Sequence, residues 1–139
     1  MSERKWLPTL AELLDRLSIV QLKEIFICEH AAEYRAEIAQ IEHDIDMLLD
    51  AHKDKISAKH LRAIMLVMLA NRVIWENESK ARLGGDSQDK LLKFTHSING
   101  VRNTAKNIVA EIEGGRLDYK IDCLATGLPP EYGNWDIFK

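Results

Sequence analysis

From Leu91 to Ile112 the apolar residues Leu91, Phe94, Ile98, Val101, Ala105, Ile108 and Ile112 recur at alternating steps of three and four. A strand brings every second residue to one face, so this spacing can form a single stripe only on an α-helix. A stripe of that length has to be covered by other apolar surface. The rest of the chain supplies helices to cover it, because no segment shows a convincing alternation of period two.

Three more helices are expected from the same reasoning. The segment from about Thr9 to Ile27 opens with Thr9 three residues before Glu12, a capping-box pattern, and repeats Leu10, Leu13, Leu14 and Leu17 at helical spacing. From about Glu29 to Ala51, Tyr34, Ile38, Ile41, Ile45 and Leu48 define the inner face and leave Glu33, Glu37, Glu42, Asp44 and Asp46 to solvent. After the connection Lys53-Asp54-Lys55, Ser57 is the next N-cap, with Ile56 placed to staple onto Leu61. The third helix, Ala58 to about Leu83, is apolar on nearly every side between Leu61 and Val73, which marks it as the central helix. Gly84 and Gly85 stop it; Asp86 or Ser87 starts the fourth, which ends at Gly114 and Gly115.

The chain is therefore expected to be all-α: one 139-residue domain, a four-helix bundle over about residues 9–113, with a short extra helix and an extended C-terminal arm over about 116–139. In that arm Pro129 and Pro130 exclude a long helix, while Tyr119, Tyr132, Trp135, Ile137 and Phe138 are too apolar for a free tail. The reading is a short helix near Tyr119–Leu124, then an extended stretch packed on the bundle or on a second subunit, so that a homo-oligomer is expected.

Composition removes several function classes. A formal charge of −3 argues against general nucleic-acid binding, which needs a net basic face. The most apolar run, Ala63 to Ala70, is far shorter than the roughly 20 residues that span a bilayer, and MSERKWLP has no apolar stretch of the kind a signal peptide carries. Cys28 and Cys123 lie far apart without CxxC spacing and are expected to be reduced, buried thiols of a cytoplasmic protein.

Candidate chemistry centres on HSINGVRNTAKN, His96 to Asn107. Asn and Gly each cost roughly 0.5 to 1 kcal/mol against Ala inside a helix, so Asn99, Gly100, Asn103 and Asn107 call for a reason. Between Lys90 and Ala110 there are four basic residues and no Asp or Glu, in a chain whose total is negative. Arg102 offers a planar fork for phosphate or carboxylate and Lys106 a point charge. Asn99 and Asn103 can read a sugar hydroxyl or base edge, with His96 further round and Gly100 on the more exposed side. The competing reading is a polar helix flank with basic residues favoured by the helix dipole.

The first helix makes a separate case. Glu12, Arg16, Lys23 and His30 share a stripe bordered by Ile19, Leu22 and Phe26 on one side and Val20 and Ile27 on the other. Glu12 and Arg16 are placed for an i,i+4 pair, whereas Lys23 has no local acid and must reach water, an acid on another helix, or a ligand. Near the end of the third helix Arg72 and Glu76 form an ordinary pair, and Trp75 fills the core or stacks on a base.

Known enzyme patterns are absent. The residues three before His43, His60 and His96 are Gln40, Ser57 and Lys93, so the Glu-x-x-His pairs of helical di-iron proteins are missing, as are HExxH, GxxxxGK and GxSxG. Glu12 with Asp15 gives one ExxD spacing and Glu42 with Asp46 an i,i+4 pair, without the ExxE partner of the all-helical nucleotide pyrophosphohydrolases. No catalytic residue, metal or cofactor is assigned.

At DRLSIVQLKEIFI (Asp15 to Ile27), NGVRNTAKN (Asn99 to Asn107) and DYKIDCL (Asp118 to Leu124) the chain resembles a small helical protein family of T4-like bacteriophages, encoded beside the tail-fibre assembly chaperone. The likeness runs from about Leu7 to Leu124 and implies the infected bacterial cytoplasm as its setting, but no established activity. Small helical phage proteins that capture nucleotide second messengers of host defence offer an analogy of setting.

The expected function is sequestration of a phosphate-bearing small molecule: Arg16, Lys23, Arg102 and Lys106 for the phosphates, Asn99 and Asn103 for orientation, His96 at the margin, and Trp75 or Tyr119 to stack. One alternative is a metal-dependent nucleotide hydrolase using Glu12, Asp15 and acids of the second helix for the metal, with His96 as base. The other is a protein-interaction module that works through the aromatic arm.

Overall fold

The computed structural model describes residues 7–84, 88–114, 133–135 and 137. Among them are four α-helices and no strand: α1 (Leu10–Phe26), α2 (Ala31–Ala51), α3 (Ala58–Arg82) and α4 (Gln88–Ala110), with single 3-10 turns at Cys28–His30 and Lys53–Lys55. The short helix expected near Tyr119–Leu124 lies outside the described residues, as do Cys123 and most of the arm. Among the described residues no helix is long and apolar enough to cross a membrane.

The helix starts follow from local chemistry. Thr9 is the N-cap of α1: its hydroxyl accepts from the Glu12 amide at 3.2 Å, and the Glu12 carboxylate accepts from the Thr9 amide at 3.1 Å. Two otherwise orphaned donors are thereby satisfied, a device worth about 1 kcal/mol. At α3 the cap is Ser57, but the third position is His60, whose Nδ1 accepts from the Ser57 amide at 3.1 Å in the role that Glu or Gln usually takes. Gly84, at φ +79, ends α3 in the left-handed region where a Cβ would be strained.

Helices α3 and α4 run antiparallel, since Lys59 at the start of one bonds Glu111 just past the end of the other at 3.2 Å. The start of α1 is tied to the same end of α4 by a hydrogen bond from the Leu10 amide to the Glu113 carboxylate. It is α1 that packs extensively on each of the other three helices, whereas α3 packs chiefly on α4 and α1. The expectation of a central α3 fails because Leu61, Met65 and Leu69 point outward, at 55, 66 and 48 % exposure. Ile56 packs on the core without its expected partner Leu61.

The main core gathers Leu10, Ala11, Leu13 and Val20 of α1, Ile41 and Ile45 of α2, Ala63 and Val67 of α3, and Ala105 and Val109 of α4. A second cluster, Ala70 and Ile74 against Phe94 and Ile98, is joined by Trp135, whose ring meets Phe94 edge-on with centroids 6.4 Å apart. Ile98 is completely buried, and truncating it to Ala would cost about 2–5 kcal/mol. Ile41 and Ile45 are the buried residues of α2, which packs mainly on α1 along a narrow seam.

Two expectations about single residues are corrected. Cys28 is exposed in the turn after α1 because its 3-10 turn buries no side chain. Gly100 is buried and not on an open side of α4; the Thr104 hydroxyl donates back to its carbonyl at 2.9 Å.

Candidate functional site

The positions Glu12, Arg16, Ile19 and Lys23 recur at steps of four, three and four and so share one face of α1, and Asp15, three after Glu12 and four before Ile19, borders it. That face, with Val20, forms one side of a cleft closed by Glu37 of α2 and Lys106 of α4. The space measures about 320 Å³, at the small end of the range for ligand pockets.

At one end of the cleft the polar groups form a closed network. Lys106 Nζ lies 3.3 Å from Asp15 Oδ2, with only 20 and 15 % of the two side chains exposed. Asp15 Oδ1 accepts from Asn71 Nδ2 at 2.7 Å, and the same nitrogen donates to the Ser18 hydroxyl at 2.6 Å. Ser18 in turn donates to the carbonyl of Asp15 at 2.7 Å. The remaining side of the Asn71 amide, Oδ1, accepts from Arg102 Nη1 at 3.2 Å. Both faces of the amide are therefore fixed by chemistry: its nitrogen has only acceptors beside it, and its oxygen only a donor. Arg102 Nε is buried without a partner among the described residues.

This network locks α1, α3 and α4 together through a partly desolvated ion pair. Such a pair is a weak source of net stability when complete, yet removing one partner strands the other and is costly. Asn71 follows the apolar run Ala63 to Ala70 at an inward position for that reason, and at 3 % exposure it has no water to turn to.

At the other end the cleft is open. Arg16 bonds Glu37 through both Nε and Nη2, the Nε contact being 3.0 Å, on an exposed surface. The expected Glu12–Arg16 pair does not form, because the Glu12 carboxylate is committed to the cap of α1 and Glu37 stands closer in space than in sequence. Lys23, half-buried, has no acid or hydrogen-bond acceptor among the described residues.

Of the eight residues singled out from the sequence, Arg16, Lys23 and Lys106 line the cleft. Arg102 stands behind it, turned toward Asn71 rather than toward open space. His96, Asn99, Asn103 and Trp75 are not among the lining residues: His96 is exposed on α4, Asn99 and Trp75 are half-buried, and Asn103 is buried at 7 % exposure. The Arg72–Glu76 pair forms at 2.7 Å.

Sequence reasoning missed Ser18 and Glu37 and gave Asn71 no role. Ser18, between Leu17 and Ile19, and Asn71, at the end of an apolar run, carried a usable signal as polar residues at positions the helical period sends inward.

Among the described residues no three His, Cys, Asp or Glu side chains come together as they would around a metal ion. The chain matches no protein-family model, no curated protein and no solved structure.

Proposed function

We propose that the protein binds and sequesters a phosphate-bearing small molecule, of the nucleotide or nucleotide second-messenger class, in the cleft between α1, α2 and α4. The observation that carries this reading is Lys23. Three cations and three carboxylates line the cleft. Arg16 is taken by Glu37, Lys106 by Asp15, and the Glu12 carboxylate by the Thr9 amide, which leaves the half-buried Lys23 in the cleft lining without an ion-pair partner among the described residues. An anionic group entering there can pair with Lys23, with Lys106 and Arg16 also in the lining, and its phosphate oxygens can share the donors that the carboxylates leave unused.

The size of the cleft suits a single phosphate-bearing group with part of its nucleoside rather than an extended dinucleotide. Arg102 acts as a positioning residue in this reading, holding Asn71 and through it Asp15 and Lys106. The resemblance to a phage family would place such capture in an infected bacterial cytoplasm, where removing a signalling nucleotide has an evident use.

The test is retention. The purified chain is incubated with a panel of mono-, di- and cyclic nucleotides, with and without magnesium, filtered, and heat-denatured. One nucleotide retained and returned intact supports sequestration. Conversion to a product that depends on magnesium would move the function to hydrolysis and attention to Glu12, Asp15 and His96.

A further inference from the structure

The outward face of α3 and the outward face of α2 are opposite in character, and both are exposed among the described residues. On α3, Leu61, Met65 and Leu69 stand one turn apart, all about half exposed or more, in a ridge about 12 Å long. Arg72 continues the line, its guanidinium 4.4 Å from the centre of the half-exposed Phe26 ring. Arg62 and Lys80 flank the ridge, and the acid on this arc, Glu76, is already held by Arg72. Arg62 has no ion-pair partner among the described residues. From Lys53 to Arg82 there are seven Lys or Arg against three Asp or Glu.

On α2 the exposed stripe is Ala32, Ala36, Ala39, His43 and Met47, with Met47 at 63 % exposure. Its borders are predominantly acidic: Glu33 and Asp44 on one side, Glu42 and Asp46 with Arg35 on the other, and Asp50 at the end. Glu42, Asp46 and Asp50 have no ion-pair partner among the described residues. The helix carries six carboxylates against one arginine.

A basic-rimmed Leu/Met ridge and an acidic-rimmed shallow face are complementary in charge and in relief. One copy cannot bring them together, since α2 is packed on α1 and both faces are exposed. We propose that the protein self-associates by seating the outward ridge of α3 of one copy on the outward face of α2 of another. Around a two-fold axis each pair of copies makes this contact twice and closes as a dimer. Apolar burial along the ridge supplies attraction, and the opposed rims set orientation and suppress like-with-like pairing. None of these residues lines the cleft, so self-association and ligand capture can be separated.

The experiment is sedimentation velocity of the full chain over a range of concentrations. Concentration-dependent association is expected, weakened by salt through screening of the rims. Met65→Glu should weaken it at least about tenfold without changing the circular dichroism spectrum. Arg62→Glu and Glu42→Arg should each weaken self-association, whereas an equimolar mixture of these two variants should recover it, because each restores opposite charge to the other in both contacts. A monomer at the highest soluble concentration, Met65→Glu associating like the wild type, or a mixture no better than its components would overturn the proposal. A monomer that binds phosphatidylserine vesicles through Met65 would likewise overturn it and give the ridge to an anionic lipid surface.

Discussion

The two ends of the cleft use the same kinds of side chain to opposite ends. Around Asp15, the lysine, arginine and asparagine are tied to one another across three helices, and the bonds join residues that are distant in the chain, Asp15 with Asn71 and Lys106, and Asn71 with Arg102. Around Lys23, one turn beyond Ile19 on the same helix, the ammonium is left open to whatever enters. A basic residue in a cleft is therefore not by itself a ligand contact. What separates the two is whether an acid or amide has already claimed it.

The contrast implies a graded set of outcomes. The largest effect is expected at Asn71: Asn71→Ala removes bonds to Asp15, Ser18 and Arg102 at once and should destabilise by about 2–4 kcal/mol. That would appear as a fall in Tm of roughly 3–5 °C per kcal/mol for a domain of this size. Next comes Arg102→Ala, which loses one bond to Asn71 but also removes a buried guanidinium nitrogen that has no partner among the described residues. A loss of about 1–2 kcal/mol in urea unfolding is expected, with the slope unchanged. Had Arg102 been a pure ligand contact, its removal would leave unfolding untouched.

At the open end the order inverts. Lys23→Ala should change stability by less than about 0.5 kcal/mol and lower nucleotide affinity at least about tenfold. Glu37→Gln is the subtlest change. It releases Arg16 from an exposed pair worth about 0–1 kcal/mol and should tighten anion binding by about threefold, measured by titration calorimetry. A network mutation that weakened binding only as much as it weakened the fold would place the Asp15 end outside the site altogether.

Much of the fold was readable from the chain. The four helices, the Thr9–Glu12 box, the Ser57 cap and the glycine stop at Gly84 all arise from neighbours within a turn of one another. What failed was the assignment of partners. Periodicity shows that α3 has apolar side chains on several faces; it does not say which face its neighbours cover, and so Leu61, Met65 and Leu69 were given to a core that lies on the other side. Gly100 and Cys28 failed for the same reason, since burial depends on what lies opposite.

The candidate site was readable in part. The stripe on α1 correctly put Arg16 and Lys23 on one surface, and the acid-free stretch of α4 drew attention to Lys106 and Arg102. The division of labour among them was hidden, because Glu37, Asp15 and Asn71 come from other helices or other faces. Polar residues at inward positions, Ser18 and Asn71, were the trace the network left in the sequence.

The most direct measurement is calorimetric titration of a retained nucleotide into the wild type and into Lys23→Ala, with Tm recorded for both. The account predicts that affinity falls at least about tenfold while Tm stays within about 2 °C. Equal affinity in the two proteins, or no nucleotide retained by the wild type, would contradict it.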